Sequence, residues 1–189
     1  MGNIRLGVMG GTFDPIHFGH LVAASEVAHA FGLAKVIFVP TGEPWQKQTL
    51  TAADHRLKMT ELAIAGNPLF DISTVDVERD GPTYTVDTLR EIGAQHPDAD
   101  LYFITGADAI SQIMSWKNVE ELWPLAKFVG VTRPGHDLNV PQMAQADVSI
   151  LEIPALAISS TDIRARVKSG KPVDYLLPDA VIEYIHENK

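Results

Sequence analysis

Short runs rich in β-branched and aromatic residues alternate along the whole chain with stretches whose apolar residues recur at helical spacing. Alternation of this kind is typical of βαβ units, in which parallel strands form a sheet that helices cover on both faces. We therefore predict an α/β fold that is Rossmann-like and doubly wound, with a mostly parallel sheet of about six strands. A chain of 189 residues fits one domain, and we expect a single domain over residues 1–189.

Glycine, proline and capping residues set the predicted boundaries of these elements. The predicted strands cover residues 4–10, 34–42, 70–78, 100–106, 127–135 and 148–154. The predicted helices cover residues 19–32, 51–68, 84–97, 107–116, 118–126, 159–170 and 178–189. Thr51 and Asp54 have capping-box spacing at the start of the second helix. Because ligands bind such sheets where strands end and helices begin, we expect the polar loops after the strands to line one crevice.

The composition excludes several classes of function. A formal net charge of −9 without a Lys or Arg cluster argues against a nucleic-acid partner. The absence of cysteine excludes disulfides, thiolate catalysis and Cys-based metal centres. No apolar run approaches the roughly 20 residues of a membrane-spanning helix, and the first residues do not resemble a leader. We expect a soluble, cytoplasmic protein without a membrane partner.

The stretch GGTFDPIHFGH follows the first predicted strand and spans Gly10 to His20. Two adjacent glycines permit a tight turn and let a phosphate approach backbone N–H groups that no Cβ shields. The spacing is neither that of a dinucleotide-binding fingerprint nor that of a P-loop, so it indicates neither hydride transfer nor ATPase chemistry. A purely structural turn is the alternative.

His17 and His20 lie three residues apart where the chain enters a helix, so both imidazoles can point to the side of the Gly10–Gly11 turn. There they could donate hydrogen bonds to phosphoryl oxygens on which charge develops during transfer. In the structural alternative, one histidine caps the helix and the other packs in the core. Zinc binding is disfavoured, because the spacing lacks the H-E-x-x-H pattern and no third ligand lies nearby.

A second candidate anion site begins the helix predicted at 159–170. Ser159, Ser160 and Thr161 place hydroxyls and free N–H groups at the positive end of the helix dipole, and Arg164 lies one turn further on. The alternative is an ordinary N-cap followed by an exposed arginine.

Other candidates are single residues in loops or at helix starts. Lys47 is a cation in the polar loop after the second predicted strand. The ring of Trp116, together with Tyr84 and Thr85 at the head of a helix, could hold a flat ring that carries a carboxylate. A core tryptophan and a capping threonine are the structural alternative.

The combination of GGTFDPIHFGH near one end and ISSTDIR near the other resembles the nucleotidyltransferases of the H-x-G-H superfamily. The resemblance spans almost the whole chain. The stretches TYT, GAD with the trailing Trp116, and TRPG narrow it to the bacterial nicotinate-nucleotide adenylyltransferase family.

The resemblance implies transfer of AMP from ATP to nicotinate mononucleotide. The nucleotide's 5′-phosphate attacks the α-phosphorus of ATP, and deamido-NAD and pyrophosphate form without a covalent enzyme intermediate. Mg²⁺ is expected on the ATP phosphates and not on a metal site of the protein, with no organic cofactor. The resemblance leaves the oligomeric state open, a homo-oligomer included, and also leaves open how strongly nicotinate is preferred over nicotinamide.

The roles that this resemblance implies fall on matching positions of the chain. His17, His20 and Lys47 would act on the phosphates during transfer. ATP would contact Gly10, Gly11, Thr12, Gly106, Asp108, Ser160, Thr161 and Arg164, with residues 159–189 completing its site. Tyr84, Thr85 and Trp116 would form the nicotinate pocket. Asp108 could instead act as an acid or base, but the attacking phosphate is already ionised and needs none.

One stretch departs from the family pattern. Relatives usually carry a P-H-K-like sequence after the second strand, whereas this chain has Pro44, Trp45, Gln46 and Lys47, so the cation is present and the histidine is not. The departure concerns how the Gly42–Gln48 loop closes.

Two alternatives to the predicted activity are a phosphopantetheine adenylyltransferase of the same superfamily and a non-catalytic nucleotide-sensing module.

Overall fold

The computed structural model describes residues 3–44, 51–133 and 148–188. Its strands are β1 (Ile4–Gly11), β2 (Lys35–Pro40), β3 (Glu43–Pro44), β4 (Phe70–Ile72), β5 (Pro82–Thr83), β6 (Ala99–Gly106), β7 (Lys127–Thr132) and β8 (Val148–Glu152). Its helices are α1 (Phe18–Phe31), α2 (Ala53–Ile64), α3 (Val75–Glu78), α4 (Thr85–Gln95), α5 (Ala107–Ser111), α6 (Val119–Leu122), α7 (Ser160–Lys168) and α8 (Asp179–Glu187), with a 3₁₀ turn at Ile113–Ser115.

Six strands form one parallel sheet in the order β4-β2-β1-β6-β7-β8. The chain therefore runs outward from β1 to one edge and then returns to the centre to build the other half from β6. This reversal creates a crevice between the carboxyl ends of β1 and β6, which is where open α/β sheets bind ligands. The predicted Rossmann-like, doubly wound sheet of six strands is confirmed.

Two apolar cores lie on opposite faces of the sheet, because successive strand residues point to opposite sides. In β2, Val36 and Phe38 belong to the core that α1, α2, α7 and α8 cover. Ile37 and Val39 belong to the core under α4, α5 and α6. Both faces of the sheet are thus covered, which explains why its central strands are nearly continuous apolar runs.

The predicted strand over 70–78 is wrong in its second half. Strand β4 ends at Ile72, where its ladder with β2, from Val36 to Phe38, also ends. The chain then turns into α3, where Val75 and Asp76 are both buried. Alternating Val75 and Val77 suited either conformation, and tertiary packing selected the helix. The additional strands β3 and β5 pair with each other in a separate two-stranded sheet.

The predicted capping box at the start of α2 is also wrong. Ala52 is the N-cap residue and no side chain caps this helix end. The Asp54 carboxylate accepts a hydrogen bond from the neighbouring His55 N–H instead. Among the residues that the structure describes, no helix is both long and apolar enough to cross a membrane.

Candidate active site

The loop after β1 is a compact turn built around Phe13. This residue has a left-handed backbone, with φ of 48°, and its ring is buried. A Cβ on Gly11 would lie 2.7 Å from the Phe13 ring, so only glycine fits there without a rearrangement. The Phe13 ring in turn packs edge-on against His20, with 5.1 Å between ring centroids. The glycine turn thus positions a histidine as well as backbone N–H groups.

His17 and His20 form a stacked pair at the amino end of α1. Their ring centroids are 3.8 Å apart, and the backbone N–H of His17, the N-cap residue, donates to Nδ1 of His20 at 3.2 Å. The residue His17 is only 6% exposed, and its Nδ1 has no hydrogen-bond partner among the described residues. Burial lowers the pKa of His17 to about 4, so this imidazole is neutral at pH 7.

The start of α7 docks onto the same loop. Ser159 is its N-cap residue and accepts from the Asp162 N–H, whereas Ser160 donates through Oγ to the Pro15 carbonyl at 2.9 Å. The Arg164 guanidinium donates to the Asp14 carbonyl at 2.6 Å and lies 3.9 Å from the Asp14 carboxylate. Residues some 150 positions apart in sequence therefore meet in one place.

A cavity of about 490 Å³ lies between these two elements. The β1 loop forms one wall with Gly10, Gly11, Thr12, His17 and His20, and the start of α7 forms the opposite wall with Ser159, Ser160, Thr161 and Arg164. Of the predicted candidates, this cavity collects both histidines, the glycine turn and the whole Ser/Thr–Arg set. The arrangement offers imidazoles, backbone N–H groups, hydroxyls and a guanidinium to one anionic ligand.

A second cavity of about 620 Å³ adjoins the first, because both are lined by His17, His20 and Gly106. Asp108, in the first turn of α5, lines it together with Thr132 and Arg133 after β7. Gly106 has open space around the position where a Cβ would lie. The predicted Gly106–Asp108 pair is thus next to the histidines: Gly106 lines both cavities and Asp108 lines the second.

A third cavity of about 220 Å³ lies on the opposite side of the β1 end and includes Gly10, Gly11 and Thr12 in its wall. Thr85 and Trp116 line this cavity, and the Trp116 ring packs edge-on against Phe103 at 5.9 Å between centroids. Tyr84 is the N-cap residue of α4 and lies beside the cavity without lining it, with Lys117 Nζ 3.9 Å from its ring centroid.

Lys47 lies outside the described residues, as do Trp45 and Gln46. After β2 the structure describes the chain as far as residue 44 and then again from Thr51, just before α2. The predicted role of Lys47 therefore stays a prediction.

Sequence reasoning did not single out three buried charged residues near the site, of which Asp14 lies in the β1 loop and lines the first cavity. Asp76, which lines the third cavity, is 2% exposed, accepts from Thr88 Oγ1 and pairs with Arg79 at 2.8 Å. Burial raises the pKa of its carboxyl, against the hydrogen bond from Thr88 and the charge of Arg79. Its place in an apparently alternating strand pattern gave no signal of burial.

Arg56 in α2 is the third missed residue, and it is 1% exposed. A signal for it existed in the sequence. Arg56 shares helical spacing with Met59, Thr60 and Ile64, all buried, so a charged residue lay on the apolar face of a predicted helix.

No group of three His, Asp or Glu side chains is placed to hold a metal ion within residues 3–44, 51–133 and 148–188. The Arg164 guanidinium and the N–H groups of the first cavity suit the oxygens of a phosphate chain, and the negative charge of such a chain could hold a divalent ion.

Comparison with known proteins supports this view of the site. The model of the Cytidylyltransferase-like family matches residues 8–166, a range that includes the β1 loop, both histidines and most of α7. The fold and the site therefore define a nucleotidyltransferase of the cytidylyltransferase-like class.

Several relatives identify the family within this class. The protein of Leifsonia xyli subsp. xyli named "Probable nicotinate-nucleotide adenylyltransferase" is 64% identical over 97% of this chain and 92% of its own length. The protein of the same name from Streptomyces coelicolor is 61% identical over 94% of this chain and 95% of its own length. The chain belongs to the nicotinate-nucleotide adenylyltransferase family.

Solved structures confirm the fold. Nicotinic acid mononucleotide adenylyltransferase from Plasmodium falciparum, complexed with NaAD, matches with a TM-score of 0.79 and 23% identity over 98% of this chain and 96% of that chain. The same protein complexed with APC matches with a TM-score of 0.78.

Proposed function

We propose that the protein joins the AMP moiety of ATP to nicotinate mononucleotide and releases deamido-NAD and pyrophosphate, a step of NAD biosynthesis. One observation supports this more than any other. The paired histidines and the start of α7, with Arg164, form opposite walls of one cavity in the crevice between β1 and β6. A phosphate chain in that cavity would contact both walls at once. Family membership supports the same reaction.

Transfer is direct in this proposal. An oxygen of the mononucleotide's 5′-phosphate forms a bond to the α-phosphorus of ATP, and the bond from that phosphorus to the bridging oxygen breaks. Pyrophosphate leaves with the electron pair, and the enzyme forms no covalent bond. Because the attacking phosphate is already ionised, catalysis requires alignment and charge stabilisation and no general base.

The three cavities suit the parts of the two substrates. The phosphates of ATP would lie in the first cavity between the histidines and Ser160, Thr161 and Arg164. Its nucleoside would extend into the second cavity toward Gly106 and Asp108. Nicotinate mononucleotide would bind in the third cavity, with its pyridine ring near Trp116 and Thr85 and with Tyr84 supporting the wall. All three cavities border the glycine turn or the β6 end next to it.

The remaining parts of the proposal concern groups beyond these walls. Lys47 would neutralise phosphate charge from its loop. Mg²⁺ would enter with ATP, held by the phosphates. We also propose that the chain forms a single domain, in which residues 159–189 complete the ATP site, and that the protein is cytoplasmic. The walls of the described site do not determine its oligomeric state.

Parallel assays of pyrophosphate release test the activity. ATP is supplied with nicotinate mononucleotide, nicotinamide mononucleotide or phosphopantetheine, and the product of each reaction is identified by mass. We expect release with nicotinate mononucleotide and formation of deamido-NAD. Release only with phosphopantetheine would assign the protein to that branch of the superfamily, and ATP binding without any release would indicate a nucleotide-sensing module.

A further inference from the structure

Arg56 is a buried charged side chain that no step of the proposed reaction uses. Its side chain extends from the first turn of α2 toward the carboxyl ends of β1 and β2, and it is 1% exposed. A charged group is almost never fully buried without partners that match its geometry. The partners of Arg56 therefore indicate what it does.

All hydrogen-bond partners of the Arg56 guanidinium in the described structure are backbone carbonyls. Nη1 donates to Thr12 at 2.9 Å and to Thr41 at 2.6 Å. Nη2 donates to Gly42 at 2.8 Å, and Nε donates to Thr51 at 3.1 Å. The planar guanidinium thus connects several chain segments through its fixed fork of donors.

Two of these carbonyls belong to residues that line the cavities of the site, Thr12 and Thr41, and Thr41 lines the third cavity. Thr12 lies in the glycine turn after β1 and lines the first and third cavities. Thr41 follows β2, and its N–H donates to the Gly11 carbonyl at 2.9 Å. Gly42 and Thr51 lie on either side of the loop whose sequence contains Lys47. A single side chain therefore holds the glycine turn and both ends of that loop.

The charge of Arg56 is balanced locally. Burial lowers the pKa of the guanidinium below its ordinary value, and the negative charges of Asp14 and Asp54 act in the opposite direction. Asp14 is itself buried, lines the phosphate cavity and lies next to Arg164.

We infer that Arg56 is a positioning residue for nucleotidyl transfer, which fixes the glycine turn against the chain that follows β2 by holding the carbonyls of Thr12, Thr41 and Gly42. This inference rests on the proposed function. Arg56 does not touch the substrates in this role. It acts on the alignment of the two phosphates through the glycine turn, whose Thr12 lines the phosphate cavity.

Lysine cannot replace arginine here. An ammonium group donates from one point, whereas the carbonyls of Thr41, Gly42 and Thr51 surround the edges of a plane. Arg56→Lys keeps the charge and most of the volume but loses the simultaneous contacts. A shift of about 1 Å between reacting groups can lower a rate about 100-fold.

The test compares Arg56→Lys and Arg56→Gln with Ile64→Ala, a control on the same helix. Ile64 is buried at the far end of α2 and belongs to the core. Unfolding curves first define a temperature at which each variant is folded to the same extent. We expect kcat of Arg56→Lys and Arg56→Gln to fall about 100-fold while KM for ATP changes far less, since alignment affects the transition state more than ground-state binding. Ile64→Ala should keep kcat near wild type.

Each outcome decides between positioning and a general structural role. Near-normal kcat in folded Arg56→Lys and Arg56→Gln, or an equal loss in Ile64→Ala, overturns the inference. Failure of both Arg56 variants to fold also overturns it, because positioning requires that folding and turnover separate. If the wild-type protein itself releases no pyrophosphate with nicotinate mononucleotide, the proposed function fails instead.

Discussion

At the scale of single residues, burial decides what each titratable group can do. His17 and His20 are three residues apart and stacked, yet His17 is buried and its pKa is lowered to about 4. In the ligand-free site this imidazole is therefore a neutral group that can donate through one nitrogen. It contributes a directed hydrogen bond to the phosphates and no permanent charge. The permanent positive charge in the described part of that cavity comes from Arg164, and the Asp14 carboxylate, which lines the same cavity, lies 3.9 Å from it.

Replacing His17 by alanine should reduce turnover far more than stability. Removing one donor to a developing phosphoryl charge commonly costs about 10²–10³ in rate, and the same loss is expected for His20→Ala. The measurement is steady-state pyrophosphate release, with circular dichroism to confirm folding. His29→Ala, in the exposed last turn of α1, is the matched control and should keep normal turnover. Near-normal turnover in folded His17→Ala would contradict the assigned role.

The lowered pKa of His17 also predicts how stability depends on pH. Between pH 6.5 and pH 4 the unfolded chain binds a proton at His17 that the folded chain does not, so acid favours unfolding. The contribution of His17 to the free energy of unfolding is present above the pKa that His17 has in the unfolded chain. It is lost as the pH falls, and the loss is about 2 kcal/mol at pH 5.

Urea unfolding at pH 7 and pH 5 measures this effect. The decrease in unfolding free energy between the two pH values should be about 2 kcal/mol smaller in His17→Ala than in the wild type. Equal decreases in the two proteins would show that His17 titrates normally.

At the scale of elements, close backbone contacts hold the loops in place. Helix α3 approaches the end of β2 so closely that a Cβ on Gly42 would overlap the Asp76 carbonyl oxygen. This contact brings the buried Asp76 carboxyl to the wall of the third cavity. The short helix that replaced the predicted strand therefore contributes Asp76 to the lining of this cavity.

Gly42→Ala should destabilise the fold by about 1–3 kcal/mol, because backbone atoms must move to admit the methyl group. Gly93→Ala in α4 is the matched control. The nearest atom to its new Cβ is 3.8 Å away, and alanine is favoured over glycine in a helix interior by roughly 0.5–1 kcal/mol. Thermal unfolding of both variants should give shifts of opposite sign, and a shift to lower temperature in both would refute the argument.

At the scale of the whole molecule, the sheet order brings distant parts of the chain together. The return from β4 to β6 opens the crevice, and the chain after β8 crosses back so that Ser160 and Arg164 contact Pro15 and Asp14. Helix α7 is anchored there by Ile163, which is fully buried in the core with α1 and α8. Site and core are thus assembled by the same packing.

Ile163→Ala should lower the unfolding free energy by about 2–5 kcal/mol. If residues 1–189 form one cooperative domain, helix ellipticity and tryptophan fluorescence should show the same urea midpoint in both proteins. Trp116 and Trp123 pack on the opposite face of the sheet from α7, so with Trp45→Phe in both proteins the fluorescence reports on the other core. A shift of the ellipticity midpoint alone would show that α7 unfolds separately.

Most of the fold could be predicted from the sequence. The alternation of strand-period and helix-period apolar patterns was enough to predict the parallel sheet and most helices, because those patterns depend on local burial. The histidine pair, the glycine turn and the Ser/Thr–Arg helix start were recognisable as local motifs. The strand predicted over 70–78 failed because Val75 and Val77 fit two conformations and only neighbouring elements distinguish them.

The sequence by itself determined which residue types reach the carboxyl ends of the strands, since strand and helix periods are local properties of the chain. Only the tertiary structure decided that Arg56 would hold carbonyls from separate segments, that Asp76 would be buried and that His17 would be neutral. Those outcomes depend on which distant groups surround a side chain, and although the helical spacing of Arg56 indicated its burial, no local pattern encodes its partners.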